Sequence, residues 1–245
     1  MATRLIVTEN YAALCEKVVE SILSLSKKTI AKQRRFTLAL SGGSTPQGIY
    51  ARMGTSIHKN KFQWRKMHFF WGDERWVCRR DPANNHRMFA RQLRVHVKIP
   101  AANIHPIRTQ IRNPEISAAF YEEELRAHFQ PPQGEVPRFD LILLGLGQDG
   151  HIASLFPESP VLKETKRWVR AVAAGQNREP RITLTFPVLC KAKAIFLLVS
   201  GREKAAVLKK VLQPKAGKKQ LPAEKLKADC TNLRIFADQA AAPRL

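Results

Sequence analysis

Short apolar runs alternate along this chain with longer amphipathic stretches. Leu5–Val7, Phe36–Leu40, Met67–Trp71, Leu141–Leu144, Ile182–Leu184, Ile195–Val199 and Leu233–Phe236 are nearly continuous in hydrophobicity, the pattern of strands covered on both faces. Between them, Tyr11–Leu25 places Leu14, Val18, Ile22 and Leu25 at steps of three or four residues, which predicts a helix. Asn113-Pro114-Glu115 is a helix start, with Asn as cap, Pro at the first helical position and Glu in the first turn. That helix is expected to run toward Phe129 and to stop before Pro131-Pro132. Ala83–Val95 and Glu203–Leu212 are also predicted to be helical. Strands alternating with helices, without an internal repeat or a long linker, predict an α/β fold: a mostly parallel, doubly wound sheet with helices on both faces, in one domain over 1–245. The proline-rich Gln130–Arg138 and the lysine-rich Gln213–Pro222 are expected to be mobile.

Composition narrows the setting. With 44% apolar residues in 245, the chain can bury a full core, and no apolar run approaches the ~20 residues that span a bilayer. The N-terminus turns polar after Leu5-Ile6-Val7, so it reads as a first strand, not a signal peptide, and a cytoplasmic location is expected. Cys15, Cys78, Cys190 and Cys230 lie far apart with no CxxC pair. They are expected to be reduced thiols with neither a redox nor a zinc role. Lys plus Arg number 42 against 20 Asp plus Glu, a net charge of +22 whose field attracts anions. The basic residues are dispersed and carry no nucleic-acid motif, so steering of an anionic metabolite is expected and specific nucleic-acid binding is not.

In open α/β sheets ligands sit beyond the carboxyl ends of the strands, and the unusual residues of this chain stand there. Phe36–Leu40 runs into Ser41-Gly42-Gly43-Ser44-Thr45-Pro46. The glycines let backbone approach a ligand, and Ser44 and Thr45 offer hydroxyls and N–H groups at a helix N-terminus, a phosphate cradle without the Gly-Lys-Ser/Thr end of a P-loop. Met67–Trp71 is followed by Gly72-Asp73-Glu74-Arg75 and soon by Asn84-Asn85. Asp73 suits a hydroxyl or a neighbouring base, Arg75 can fork onto phosphate, Asn85 suits a sugar hydroxyl or a helix cap, and Glu74 reads as structural. Gly145-Leu146-Gly147-Gln148-Asp149-Gly150 fits the dinucleotide pattern G-x-G-x-x-G, but Pro157 and Pro160 arrive too soon for the helix that pattern requires. The better reading is a tight loop in which Asp149 holds one nitrogen of His151 and leaves the other to take a proton from water. Arg181 and Lys204, at strand and helix junctions, are further candidate phosphate contacts; the remaining six histidines are assigned no role.

Taken in order, Ser-Gly-Gly-Ser-Thr-Pro, Trp-Gly-Asp-Glu-Arg, Leu-Gly-Leu-Gly-Gln-Asp-Gly-His-Ile-Ala-Ser-Leu-Phe-Pro and Arg-Ile-Thr-Leu-Thr resemble the glucosamine-6-phosphate deaminase/6-phosphogluconolactonase family, on its lactonase side. The resemblance implies a modified Rossmann-like fold shared with the deaminases and, more remotely, ribose-5-phosphate isomerases. It implies hydrolysis of 6-phospho-D-glucono-1,5-lactone in the oxidative pentose phosphate pathway, with no metal and no cofactor. It casts His151 as general base with Asp149 as its partner, and gives phosphate to Gly42, Gly43, Ser44, Thr45 and Arg75. Asp73 aligns with the carboxylate that moves protons in the deaminases. Those enzymes place a further carboxylate five residues after the histidine, where this chain has Phe156, and Ile152 stands where lactonases commonly have threonine. The expected partner is a small sugar-phosphate lactone, with no membrane association and a monomer or small homo-oligomer as the working form. The rival expectations are an amino-sugar-phosphate deaminase or isomerase and a non-catalytic, basic sugar-phosphate or nucleic-acid binding protein.

Overall fold

The computed structural model describes residues 3–175, 178–214 and 219–243. Its strands are β1 (Arg4–Thr8), β2 (Phe36–Leu40), β3 (Met67–Trp71), β4 (Asp73–Arg75), β5 (Leu141–Gly145), β6 (Val169–Val172), β7 (Arg181–Leu184), β8 (Ile195–Val199) and β9 (Leu233–Asp238). Its helices are α1 (Tyr11–Gln33), α2 (Ser44–Met53), α3 (Asn85–Gln92), α4 (Pro114–Phe129), α5 (Phe186–Lys191), α6 (Ala205–Leu212) and α7 (Pro222–Asp229).

Six strands form one sheet in the order β1-β9-β8-β5-β2-β3, every pairing parallel. Every residue of β2 and β8 is buried, as expected for continuous apolar runs in a sheet covered on both sides. From β2 the chain passes outward to β3, whereas from β5 it passes to β8 on the other side. The β2–β5 junction is therefore the switch point, where a crevice opens beyond the strand ends.

Helix boundaries follow local chemistry. Asn10 caps α1 by accepting from the Ala13 N–H, and the helix outlasts its predicted end because Ser26 and Ile30 continue the buried face. Asn113 caps α4 through the Glu115 N–H, with Pro114 in the first turn, as predicted. On the buried side of α4, the Tyr121 hydroxyl brackets the end of β3, accepting from Trp71 N (2.8 Å) and donating to Trp71 O (3.0 Å).

Three expectations need correction. Ile182–Leu184 does not join the parallel sheet: β7 is the centre of a separate three-stranded antiparallel sheet, β4-β7-β6. The four cysteines are not all free thiols. Cys190 within α5 and Cys230 just after α7 form a disulfide, because packing of these helices brings together residues 40 apart in sequence; Cys15 and Cys78 are free. Gln213–Pro222 is not one mobile segment: residues 215–218 lie outside the described residues, while Pro222 opens α7, with Glu224 accepting the Leu221 N–H at 2.8 Å. Among the described residues, no helix is long and apolar enough to cross a membrane.

Candidate active site

A cleft of about 170 Å³ opens at the β2–β5 junction. One wall is the loop after β2. Tyr50 holds its start, donating to Ser41 O (2.8 Å) and accepting from Ser41 N (3.0 Å). Gly43 caps α2 at φ 100°, a conformation that favours glycine, and turns Ser44 and Thr45 onto the helix N-terminus facing the cleft. Gly42 is required for a different reason: a Cβ there would stand 2.0 Å from Asn85 Oδ1. The loops after β2 and β5 are tied by Gly145 N–H to Ser41 Oγ (3.3 Å).

The loop after β5 supplies the imidazole. Gly150, at φ 85°, reverses the chain, and Gly147 N–H donates to His151 O at 2.9 Å. His151 Nδ1 lies 2.5 Å from Asp149 Oδ1, which fixes the ring and directs Nε2 elsewhere. Burial alone would raise the Asp149 carboxyl, but the His151 hydrogen bond and charge pull it down to about 2. Against the ring stands Phe156, centroid to centroid 4.6 Å, with the Arg178 guanidinium 4.0 Å from the centroid of the phenyl ring.

The small sheet supplies the cations. Arg75 and Arg181 are register partners across β4 and β7 and both line the cleft. Burial first, then the neighbouring Arg75 charge, lowers the pKa of Arg181, while Asp73 pulls it back up. The Nε atoms of both arginines are buried without a partner. Two guanidiniums directly opposite each other on a strand pair are unfavourable in isolation, and an anion between them would offset that repulsion. Asp73, 5% exposed, accepts from Ser154 Oγ at 2.7 Å and presents itself to the same cleft. Lys204 reaches it from the turn after β8, where Asp238 accepts from Ser200 Oγ and from Gly201 N–H.

Gly42, Gly43, Ser44, Thr45, Asp73, Arg75, His151, Arg181 and Lys204 therefore line one cleft. Asp149 lies behind His151 as its partner. Asn85 is misplaced as a sugar contact. Its side chain, 2% exposed, sits under Gly42 and donates to Asp73 O at 2.9 Å, so it supports the walls without lining them. Glu74 is structural: its carboxyl accepts N–H bonds from Arg75, Asn85 and His86 and so caps α3. Burial nevertheless pushes that carboxyl up to about 7, against the pull of those donors. Sequence reasoning missed Ser41, Pro46, Gly145, Leu146, Gly147 and Ala153 as cleft residues. Their signal was their place immediately after an apolar run, beside residues already singled out.

The family model described as glucosamine-6-phosphate isomerases/6-phosphogluconolactonase matches residues 9–235. A Synechocystis sp. protein named 6-phosphogluconolactonase is 40% identical over 91% of this chain and 90% of its own. A Haemophilus influenzae protein of the same name is 37% identical over 83% of this chain and 85% of its own. The solved structure of 6-phosphogluconolactonase from Trypanosoma cruzi superposes with a TM-score of 0.86 at 26% identity, covering 100% of this chain and 98% of that one. With the motifs, the parallel sheet and the cleft at its switch point all agreeing, the chain belongs to the glucosamine-6-phosphate isomerase/6-phosphogluconolactonase family.

Proposed function

We propose that this protein hydrolyses 6-phospho-D-glucono-1,5-lactone to 6-phosphogluconate, with His151 as the general base. The observation that carries the reading is the sharing of one cleft by the Asp149-braced imidazole and the anion-receptive groups. The phosphate docks at the N-terminus of α2, on the N–H groups and hydroxyls of Gly42–Thr45, with Arg75, Arg181 and Lys204 supplying positive charge. Binding at this remote group orients the lactone carbonyl beside His151. Nε2 takes a proton from water as the water oxygen bonds to the carbonyl carbon. Backbone N–H groups or a cation of the cleft meet the oxyanion. The ring C–O bond then breaks, and its oxygen recovers the proton from the imidazolium. Asp73, held by Ser154, accepts a sugar hydroxyl or tunes the charge near the base.

Phe156 favours the lactonase over the deaminase reading. The position five residues after the histidine holds an apolar ring packed on the imidazole, so the carboxylate that would assist ring opening and amine transfer is missing. Residues 1–245 act as one domain in this reading, because the small sheet completes the cleft of the large one. The field of +22 draws the anionic substrate in, and the working location is the cytoplasm.

The test is a lactonase assay on wild type and His151→Ala, with glucosamine 6-phosphate as the alternative substrate. Wild type should consume only the lactone, and the variant should lose about 10²–10⁴ in kcat with its fold intact. Full activity in His151→Ala would remove the base from the mechanism, and turnover of glucosamine 6-phosphate alone would replace the function.

A further inference from the structure

Three histidines that the cleft does not use meet at the edge of the large sheet. One ring nitrogen from each of His68, His105 and His128 lies within 4.8 Å of the others. His68 is the second residue of edge strand β3. His105 follows the bridge between Ile104 and Phe69 and is held there by its N–H on Phe69 O at 2.8 Å. His128 lies in the last turn of α4. All three are partly buried, so one side of the cluster remains open to solvent.

The geometry is that of a ligand set. His68 Nδ1 and His105 Nε2 are 3.3 Å apart. Two nitrogens each about 2.0–2.1 Å from a tetrahedral zinc ion stand about 3.3–3.4 Å from each other. The other nitrogen of His105 is already engaged: Nδ1 lies 2.9 Å from Glu124 Oε1, one turn before His128 on α4. A carboxylate on the far nitrogen fixes the tautomer and makes the near nitrogen a better donor, as in carboxylate–histidine–metal triads. Phe70 stacks on the His105 ring at 4.3 Å and 5°, which sets its plane. Among the described residues His128 Nε2 is buried without a hydrogen-bond partner, a costly arrangement for an imidazole with nothing to bind.

We propose that His68, His105 and His128 form a three-histidine site for a first-row divalent metal ion, zinc by geometry, with water in the fourth position. It is distinct from the lactone cleft, whose lining includes none of the three histidines. The ion joins β3, the segment after Ile104 and the end of α4, clamping the otherwise open edge of the sheet. The proposal does not depend on the lactonase reading.

The test is calorimetric titration of EDTA-treated protein with ZnCl2, paired with CoCl2 titration followed by visible absorption. Wild type should bind one equivalent and melt at higher temperature with zinc. The cobalt form should show tetrahedral d–d bands without a thiolate charge-transfer band, which separates the site from exposed Cys78. His128→Asn should weaken binding by at least about 100-fold, and Glu124→Gln, which keeps all three ligands, by about 10–100-fold. Circular dichroism of the metal-free variants verifies their fold, and the Glu124→Gln result stands even where a histidine variant fails to fold. His151→Asn should bind zinc like wild type. No binding by wild type, unchanged affinity in His128→Asn and Glu124→Gln, a thiolate band, or loss of binding in His151→Asn would each overturn the assignment.

Discussion

Gly147→Ala separates the proposed role of the His151 imidazole from everything that merely holds the fold. A Cβ at this position would lie 2.0 Å from His151 Nδ1 and 2.6 Å from Asp149 Oδ1. Ordinary van der Waals separation is about 3.5 Å, so the ring must retreat by roughly 1.5 Å. It can do so, because His151 is a side chain on an open cleft and not packed backbone. Stability should therefore change by less than about 1 kcal/mol, while the His151–Asp149 bond and the aim of Nε2 are lost. Misplacement by about 1 Å costs on the order of 10² in rate, equivalent to about 2.7 kcal/mol of transition-state stabilisation. The loop after β2 is untouched, so KM should hardly move. A continuous lactonase assay, with initial rates corrected for spontaneous hydrolysis and melting curves taken alongside, reads all three quantities. Wild-type kcat in a folded Gly147→Ala protein would refute the reasoning, because the imidazole would then be free to move without consequence.

Arg181→Gln should raise KM at least tenfold with a smaller effect on kcat, and steady-state kinetics at fixed ionic strength read the split. Burial, followed by Arg79 and Arg94, lowers His86 to about 4 from an ordinary 6.5. Its contribution to stability is therefore present above pH 6.5 and lost as pH falls toward 4, about 3 kcal/mol in all. Glu74, raised to about 7, acts in the opposite sense, contributing stability below about pH 4.5 that is lost as pH rises through 7. In His86→Gln the slope of unfolding free energy between pH 4.5 and 6.5 should fall by about 1.4 kcal/mol per pH unit, one proton's worth, measured by urea denaturation. Reduction of the Cys190–Cys230 disulfide, which closes a loop of 40 residues, should cost about 4 kcal/mol on the chain-entropy estimate and lower Tm by about 8–16 °C, with Cys190→Ser matching the reduced protein in calorimetry.

The parallel sheet was legible because burial on both faces demands unbroken hydrophobicity, and β2, β3, β5 and β8 display it within a residue of their ends. β4 was illegible because Asp-Glu-Arg has no apolar character; it is a strand only because β7 pairs with it. β7 carried a signal that was misread. Arg-Ile-Thr-Leu-Thr alternates, the mark of an antiparallel strand, while the strands of the parallel sheet do not. The disulfide and the three-histidine cluster were out of reach for a common reason. Their members are far apart in sequence and are joined only by helix and strand packing, which no local spacing encodes. Asn85 failed as a sugar contact because an asparagine near a loop reads the same whether it faces ligand or backbone. What decides between the two is the missing Cβ of Gly42, which draws the amide in beneath the loop.

The small sheet explains how the cleft joins two incompatible demands. A base that must accept a proton is best kept beside a carboxylate, and His151 has Asp149 on the same loop. A site for a phosphate needs concentrated positive charge, which on the same loop would oppose the imidazolium formed during the reaction. Here the cations enter from elsewhere. β4 and β7 set Arg75 opposite Arg181, and the turn after β8 brings Lys204, so the cations and the imidazole rest on different strands. The arginine pair is stable only with carboxylates or an anion nearby. Asp73, paired with Thr183 across the strands, supplies the first, and in the proposed mechanism the substrate phosphate supplies the second. Under the proposed function, substrate binding relieves the repulsion between the two guanidiniums at the moment it positions the lactone, and the antiparallel sheet is then a part of the catalytic apparatus and not an appendage to the fold.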